Sequence, residues 1–543
     1  MDEDDMKKLI KHLKGKKASG LDWICSYSLK TAAPIITEEL KTIINLCFRR
    51  NKFVVKWKCA KILPAWKNKG TRFELKYYRP LSNLSEVSKL VEKAAYDQMI
   101  GYLEKHGLIH LNHHGFLKNS STSTALQHVL DIWLKHLDKG KLVSALFLDL
   151  SAGFDVINHS ILIEKMKLYN FSEQTIDWFS SYLVGRSQRV QIESSLSPSL
   201  PVPWGVPQGS ILGPLLFLLF INELPDVVKE PLENDEEDGD MPSERDFEVV
   251  VYADDNTPVA PDADPLSLQS KIQQEANIVT NWFNRNDMIC SSDKTKLLVV
   301  GTQLNRHRKL IQNNLTLCVD VCGEKKSESV SEKLLGIVVN NSATFKHHIH
   351  GDEENQGLLK QLATRVGMLK KVKRFLAPAK LRMVMDGLFG SKLGYGMTVW
   401  GRVWNIPGST EEEIRSPSLT KDDVLKLQVL QNKCLRILTN SDYRTPTTTL
   451  LQKTKKISVH QQIAYQTLSQ VYSVFETKLP VYHYRRLFEK VGCNTDTRSN
   501  NDHGINRVEF KLSLCRSNFF KHPGFGHPYQ PTSSQLKIDP CSR

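Results

Sequence analysis

Two short runs of branched aliphatic and aromatic residues end in carboxylate: Leu146-Phe147-Leu148-Asp149 and Val249-Val250-Val251-Tyr252-Ala253-Asp254-Asp255. Branched and aromatic side chains suit buried strands, where they fill a covered, pleated surface. Burying both runs leaves three carboxylates at strand ends, and this constrains the chain more than any other feature. Two adjacent aspartates and a third from a separate strand can converge on a pair of divalent cations. Two such ions, about 3.5–4 Å apart, clamp the attacking and leaving oxygens of an in-line phosphoryl displacement. Hard cations such as Mg²⁺ take oxygen ligands and keep waters and substrate phosphates in the remaining positions. Asp-Asp is also ordinary turn chemistry at a hairpin tip, so the neighbouring sequence decides between the two.

The chain has 543 residues, 40% of them hydrophobic and 24% charged, which is globular rather than disordered composition. Its formal net charge of +14 favours a polyanionic partner, with nucleic acid first among candidates. The longest apolar run, Ile211 to Ile221, is interrupted by Gly213 and Pro214 and is too short to span a bilayer. The ten cysteines lack paired spacing. Cys318 and Cys322 have no second pair to complete a zinc module, so free thiols in a reducing, intracellular compartment are expected.

Residues 1–45 read as an N-terminal extension, an acidic start and then a helix with Leu9, Ile10 and Leu13 on one face. Lys14-Gly15-Lys16-Lys17 leads into a turn at Ser19-Gly20-Leu21-Asp22. A strand over Lys58–Pro64 runs into a basic tip, Lys67-Asn68-Lys69-Gly70, and then Tyr78-Arg79-Pro80-Leu81-Ser82. Arg offers a planar fork and Lys a point charge, so this hairpin can grip a triphosphate; a solvated charged hairpin fits the same residues. Ser121-Thr122-Ser123-Thr124 predicts the cap of a helix starting near Ala125. A strand over Leu142–Leu150 leads through Ser151-Ala152-Gly153-Phe154-Asp155 into a helix, and Phe154 either lines the pocket of Asp149 or belongs to the core.

In Gly205-Val206-Pro207-Gln208-Gly209-Ser210 the two glycines allow close backbone approach to a ligand beside the Gln208 amide, and a helix is predicted from about Pro214. Residues 230–248 are strongly acidic and read as a solvated loop. Lys294-Thr295-Lys296 opens a strand over Leu297–Val300, and Lys333–Val339 reads as one further strand. Beyond residue 341 the pattern is helical. Leu358, Leu359, Leu362, Val366, Leu369 and Val372 share a face, and Lys370, Lys371, Lys373 and Arg374 supply a basic one, suited to a duplex backbone or to solvent. A helix over Leu425–Leu438 follows, and 489–543 reads as a poorly ordered tail.

In this order the motifs resemble the reverse transcriptases of non-LTR (LINE-type) retrotransposons, the jockey-like group in particular, from about Lys14 to about Phe488. Asp149 to Asp155 is similar to the family's first metal motif and Tyr252 to Asp255 to its second. Gly205 to Phe217 resembles its template and nucleotide loop, Tyr78-Arg79-Pro80 its fingers motif, Leu334-Leu335-Gly336 its primer-grip strand, and Leu427–Leu438 the helix beyond its thumb. The resemblance implies an α+β right-hand polymerase: fingers and palm, with an antiparallel sheet, over 46–340, and a helical thumb and connection over 341–488. It implies RNA-directed DNA synthesis from an RNA template, a DNA primer and dNTPs, acting in the nucleus. Two Mg²⁺ ions, or Mn²⁺ in their place, would sit on Asp149, Asp254 and Asp255. Lys67, Lys69, Arg79 and Lys294 would meet phosphates, Phe154 the sugar, Gln208 and Gly209 the nascent base pair, and Lys370, Lys371, Lys373 and Arg374 the duplex.

His113, Ser120, Asn256 and Ser291 stand where family members often carry Gln, Arg, Thr and Asn, and none of them is a metal ligand. The family also carries an endonuclease ahead of the polymerase, for which there is little room before Lys14, so a truncated copy is expected. The rival expectation is a catalytically idle, nucleic-acid-binding remnant that uses the basic fingers and thumb alone.

Overall fold

The computed structural model of the chain describes residues 1–13, 19–68, 70–230, 246–401 and 419–488. Expectations for Lys14–Lys17, Lys69, most of the acidic stretch and the tail from 489 therefore lie outside the described residues. The first helix, Glu3–His12, is opened by Asp2 and Asp5 in a reciprocal cap and buries Met6 and Ile10. A longer helix, Ser26–Arg49, follows.

Among the described residues the strands form three sheets. β1 (Cys59–Trp66) and β2 (Tyr78–Asn83) are the arms of the basic hairpin, and β3 (Leu142–Asp149) is the Asp149 run. β4 (Arg186–Ile192), β5 (Ser195–Leu196) and β6 (Leu200–Val202) complete the first sheet, with β4 parallel to β1. The central sheet joins β3 to β7 (Glu248–Tyr252), β8 (Asp255–Asp262), β9 (Lys296–Val300), β10 (Cys318–Val321) and β11 (Glu324–Ser329), in the order β10-β11-β9-β3-β8-β7. Its pairings are antiparallel except for β11 with β9, where Glu328 faces Leu297 and Ser329 faces Leu298 in parallel, so the expected antiparallel sheet is mixed at that edge.

Two local expectations need correction. The run Lys333–Val339 is not one strand but a hairpin of β12 (Ser331–Leu334) and β13 (Ile337–Asn340). Leu335 and Gly336 both take left-handed backbone, with φ 46° and 84°, which reverses the chain in two residues. Leu-Leu-Gly has strand composition on either side of that turn, and only the glycine marks it. The helix expected from Ala125 begins at Thr122, because Ser121 accepts the Thr124 N–H while Thr124 returns a bond to the cap.

Alternation along β3 divides the core. Leu142, Leu146 and Leu148, with Val249, Val251, Leu297 and Val299, pack against helices including Glu86–Lys105, Gly213–Ile221 and Pro265–Arg285. Val143, Ala145, Val250, Val259, Leu298 and Val300 point the other way, into a second core shared with helix Thr122–Leu137. That second core runs on without interruption into the helices beyond residue 341, through Leu358, Leu362 and Leu369 of helix Leu358–Val372 and Leu427, Cys434 and Leu435 of helix Lys421–Thr439. Helix Val481–Phe488 returns to the centre, where Arg486 meets Asp131 of helix Thr122–Leu137 at 2.7 Å. Asp149 has the parity of Val143, Ala145 and Phe147, so it ends β3 on the face turned towards the helical lobe. No helix among the described residues is long and apolar enough to cross a membrane.

Candidate active site

Antiparallel pairing sets Asp149 directly opposite Asp255 across β3 and β8. Directly opposed residues in a sheet share a face, with Cβ atoms about 4.5–5.5 Å apart. Asp254 joins them from the two-residue turn between β7 and β8, where Ala253 holds φ 56°. A Cβ-bearing residue is uncommon in that conformation, and it persists where the surroundings enforce it. Here Asn256 donates from its amide to the Asp254 carbonyl at 3.1 Å, and the segment Asn112–Gly115 lies alongside β7. His114 N–H donates to Val251 O at 2.9 Å and Val251 N–H to Asn112 O at 3.0 Å. Gly115 completes the brace: a Cβ there would come within 2.5 Å of the Ala253 nitrogen, so only glycine lets the two backbones touch.

Ionisation of Asp254 and Asp255 is opposed by burial and by neighbouring carboxylates. Burial first, then the Asp254 and Asp149 carboxylates, push Asp255 up to about 6. Asp254, exposed at the turn, is also raised, by desolvation of its carboxyl and then by Asp149, while Lys294 and Arg79 pull it back. Arg79 lies on β2, and its charge reaches Asp254. Lys294 is closer: its ammonium lies 3.1 Å from both oxygens of Asp149. The backbone beside it is tied to the same strand, since Ser291 N–H donates to Asp149 O at 3.0 Å.

An ammonium already resting on Asp149, and mutual repulsion within an all-oxygen donor set, fit a site for hard divalent cations. Among the described residues, however, no three His, Cys, Asp or Glu side chains converge closely enough to cage an ion by themselves. Mg²⁺ needs no such cage, because it is commonly held by one or two carboxylates with waters and substrate phosphates filling its octahedron.

The loop after Gly205 lies against the segment that follows β3. Gly205 N–H donates to Ile157 O and Val206 N–H to Phe154 O, both at 2.8 Å. The Gln208 amide donates to both oxygens of Asp155, at 3.0 and 3.2 Å, and Gln208 O accepts from Ser82 N–H of β2 at 2.8 Å. Gly209, at φ 113°, would drive a Cβ to 2.7 Å from Ser82 O. The Gln208 loop and the Arg79 strand are thus joined. Phe154 stacks on the buried Phe217 at 4.7 Å between ring centroids and meets Phe116 edge-on at 5.8 Å, leaving it half-buried and held on two sides.

Two expected phosphate contacts differ in standing. Lys69 lies outside the described residues, and the Lys67 ammonium donates to Lys76 O at 2.8 Å, inside the hairpin connection. On the helical lobe, Lys370, Lys371 and Arg374 are exposed at the end of helix Leu358–Val372 and just beyond it, while Lys373 donates to Asn440 at 2.7 Å.

Motif reading missed Glu92. It is fully buried on helix Glu86–Lys105 and accepts Ile211 N–H at 2.7 Å, anchoring the far end of the Gln208 loop. Burial pushes its carboxyl up, opposed by that N–H and by Arg186. Its one sequence signal is a lone carboxylate among Leu90, Val91, Ala94 and Ala95.

Residues 66–339 match the family described as reverse transcriptase (RNA-dependent DNA polymerase). The probable RNA-directed DNA polymerase from transposon BS of Drosophila melanogaster is 25% identical over 495 residues, 90% of this chain and 51% of that protein. The corresponding protein of the X-element in the same fly is 23% identical, over 84% of this chain and 46% of its own length. The RNA-directed DNA polymerase from its mobile element jockey is 24% identical, over 81% and 44%. The chain spans about half the length of the curated relatives it matches.

Proposed function

Since the chain belongs to the reverse transcriptase (RNA-dependent DNA polymerase) family, we propose that it copies an RNA template into DNA, adding dNTPs to a primer 3′-hydroxyl with loss of pyrophosphate. The observation that carries this is the pairing of Asp149 with Asp255 across β3 and β8, with Asp254 at the adjoining turn. Asp149, Asp254 and Asp255 would hold Mg²⁺, or Mn²⁺ in its place. When bound, the ions supply charge neutralisation at the phosphoryl oxygens and favour the ionised hydroxyl.

The chain's own residues position and neutralise. Arg79, with Lys67 or Lys69, would neutralise the triphosphate, and Lys294 would approach the leaving pyrophosphate. Gln208 and Gly209 border the nascent base pair. Phe154, held against Phe217, closes the space that a ribose 2′-hydroxyl needs. In this reading the basic hairpin and its neighbours are the fingers, the central sheet is the palm, and the helices after residue 341 are the thumb and connection, with Lys370, Lys371, Lys373 and Arg374 on the duplex backbone.

Primer extension on an RNA template with dNTPs and Mg²⁺ tests the proposal. The protein extends the primer, and Asp254→Asn or Asp149→Asn abolishes extension while nucleic-acid affinity stays near wild type. An Asp254→Asn protein that extends at the wild-type rate refutes the metal assignment, and a wild-type protein that binds but never extends is the idle remnant. The same assay with CTP against dCTP reads Phe154: Phe154→Ala loses much of its preference for dCTP, and an unchanged preference makes Phe154 a core residue only.

A further inference from the structure

Three histidines that no motif singles out are buried together behind the segment that braces β7. His114 belongs to that segment, His128 to helix Thr122–Leu137 and His483 to helix Val481–Phe488. His114 Nδ1 lies 3.2 Å from Thr124 Oγ1, and His114 Nε2 lies 2.9 Å from His128 Nδ1. Burial holds the His114 and His128 imidazoles well below their usual range, so each carries a single N–H. The helix cap decides which nitrogen bears it. The Thr124 hydroxyl donates to Ser121 O at 2.8 Å and has only lone pairs left for His114. His114 Nδ1–H therefore donates to Thr124, its Nε2 accepts, and His128 Nδ1–H is the donor. His128 Nε2 has no hydrogen-bond partner among the described residues, so the bond to His114 is the one use made of the ring's polarity.

The last helix holds this pair in place. Tyr482 stacks on His128 with ring centroids 3.4 Å apart, and its hydroxyl donates to Asp131, one turn further along the same helix as His128. Arg486 grips both oxygens of Asp131, at 2.7 and 3.1 Å, and His483 meets His114 edge-on at 5.7 Å between centroids. On its other side the pair reaches the β7–β8 hairpin through backbone: His114 N–H donates to Val251 O at 2.9 Å, three residues ahead of Asp254, and Gly115 abuts the Ala253 nitrogen. Held by its ring and by its main chain, His114 leaves the segment no freedom to slide along β7.

We propose that His128 is a positioning residue, whose hydrogen bond to His114 fixes the segment on which the Ala253–Asp254 turn is seated. The inference rests on the polymerase reading above, in which Asp254 holds metal. Small misplacements of reacting groups lower the rate of chemistry and leave ground-state binding intact.

Two replacements separate the bond from the ring. His128→Phe keeps an aromatic ring on Tyr482 and loses the N–H, whereas His128→Asn loses the ring and keeps an N–H donor close to where Nδ1 stood. The test is rapid-quench incorporation of one dNTP on a preformed RNA–DNA primer–template, with the burst amplitude counting active molecules. In His128→Phe the rate constant is expected to fall about tenfold, with the KM for dNTP within about twofold of wild type. In His128→Asn the rate constant is expected to stay within about threefold of wild type. A wild-type rate constant in His128→Phe overturns the proposal, and a lowered burst amplitude with an unchanged rate constant marks His128 as purely structural. So does a His128→Asn protein as slow as His128→Phe, since packing of the ring is then what matters. Should His128→Phe leave no active molecules, His128→Asn decides alone: a rate near wild type upholds the proposal and a tenfold loss overturns it. A wild-type protein that incorporates nothing instead removes the polymerase reading, and this proposal with it.

Discussion

Asp255 shows how much of the site is electrostatics held in place by backbone. Its carboxyl titrates near 6 in the fold, against about 3.9 for an unperturbed aspartate. A folded-state pKa above the unfolded one means that the folded protein is favoured below the unfolded value and loses stability as pH rises through about 6. Without metal at pH 8, Asp255→Asn should therefore be more stable than wild type, by about 1–2 kcal/mol after allowing for screening at a half-exposed group. The gain should fade as pH falls from 6 towards 4, where the wild-type carboxyl is itself protonated. Urea unfolding in chelator at pH 8 and pH 4.5 measures both limits, and equal stabilities at pH 8 would mean that the carboxylates do not strain one another. Excess Mg²⁺ should reverse the order, stabilising wild type and not the variant, since a bound ion favours whichever state binds it.

At the scale of elements, the β7–β8 hairpin depends on a neighbour that approaches closely enough to require glycine. Gly115→Ala places a methyl group 2.5 Å from the Ala253 nitrogen, with backbone on both sides and no flexible side chain to yield. The hairpin must shift, and a displacement of about 1 Å at reacting groups can cost on the order of 100-fold in rate. Single-turnover extension should fall by that order while the unfolding midpoint moves only modestly; a rate within about twofold of wild type would show that the segment before helix Thr122–Leu137 does not hold the turn.

The same comparison marks where sequence was readable. The carboxylate-tipped strands and the glycine loop are visible in residue order, because each is local: a branched run, paired glycines; the contact of Lys294 with Asp149 is not, because the two lie far apart in the chain. Gly115, Ser82 and Glu92 were not visible as site residues, because each acts through a backbone contact with a segment distant in the chain. The β12–β13 turn was lost for a different reason: Leu335 adopts a left-handed conformation that its side chain does not advertise. The early start of helix Thr122–Leu137 was hidden because Thr124 completes a cap, a role that composition alone assigns only to the cluster and not to a position.

For the whole molecule, the second apolar core matters as much as the charge. It runs from the central sheet through helix Thr122–Leu137 into the helices beyond residue 341, so the helical lobe and the carboxylate face share one packed interior. A nucleic acid seated on Lys370, Lys371 and Arg374 would then be held in fixed relation to Asp149. The net charge of +14 gives a long-range attraction that salt screens, whereas close phosphate contacts release counterions and set the slope of affinity against salt. Replacing the three exposed cations with Ala should flatten the log–log slope by about 2 to 3 units, at roughly 0.9 per contact on B-form duplex and 0.7 on single strands. Because the lobe packs continuously onto the sheet, the triple variant should keep its rate constant at saturating template and lose apparent affinity alone. Filter binding of an RNA–DNA hybrid across a salt series, paired with single-turnover extension, separates the two effects. An unchanged slope would place the duplex grip on another face, and a lowered rate at saturation would mean that these cations also orient the primer.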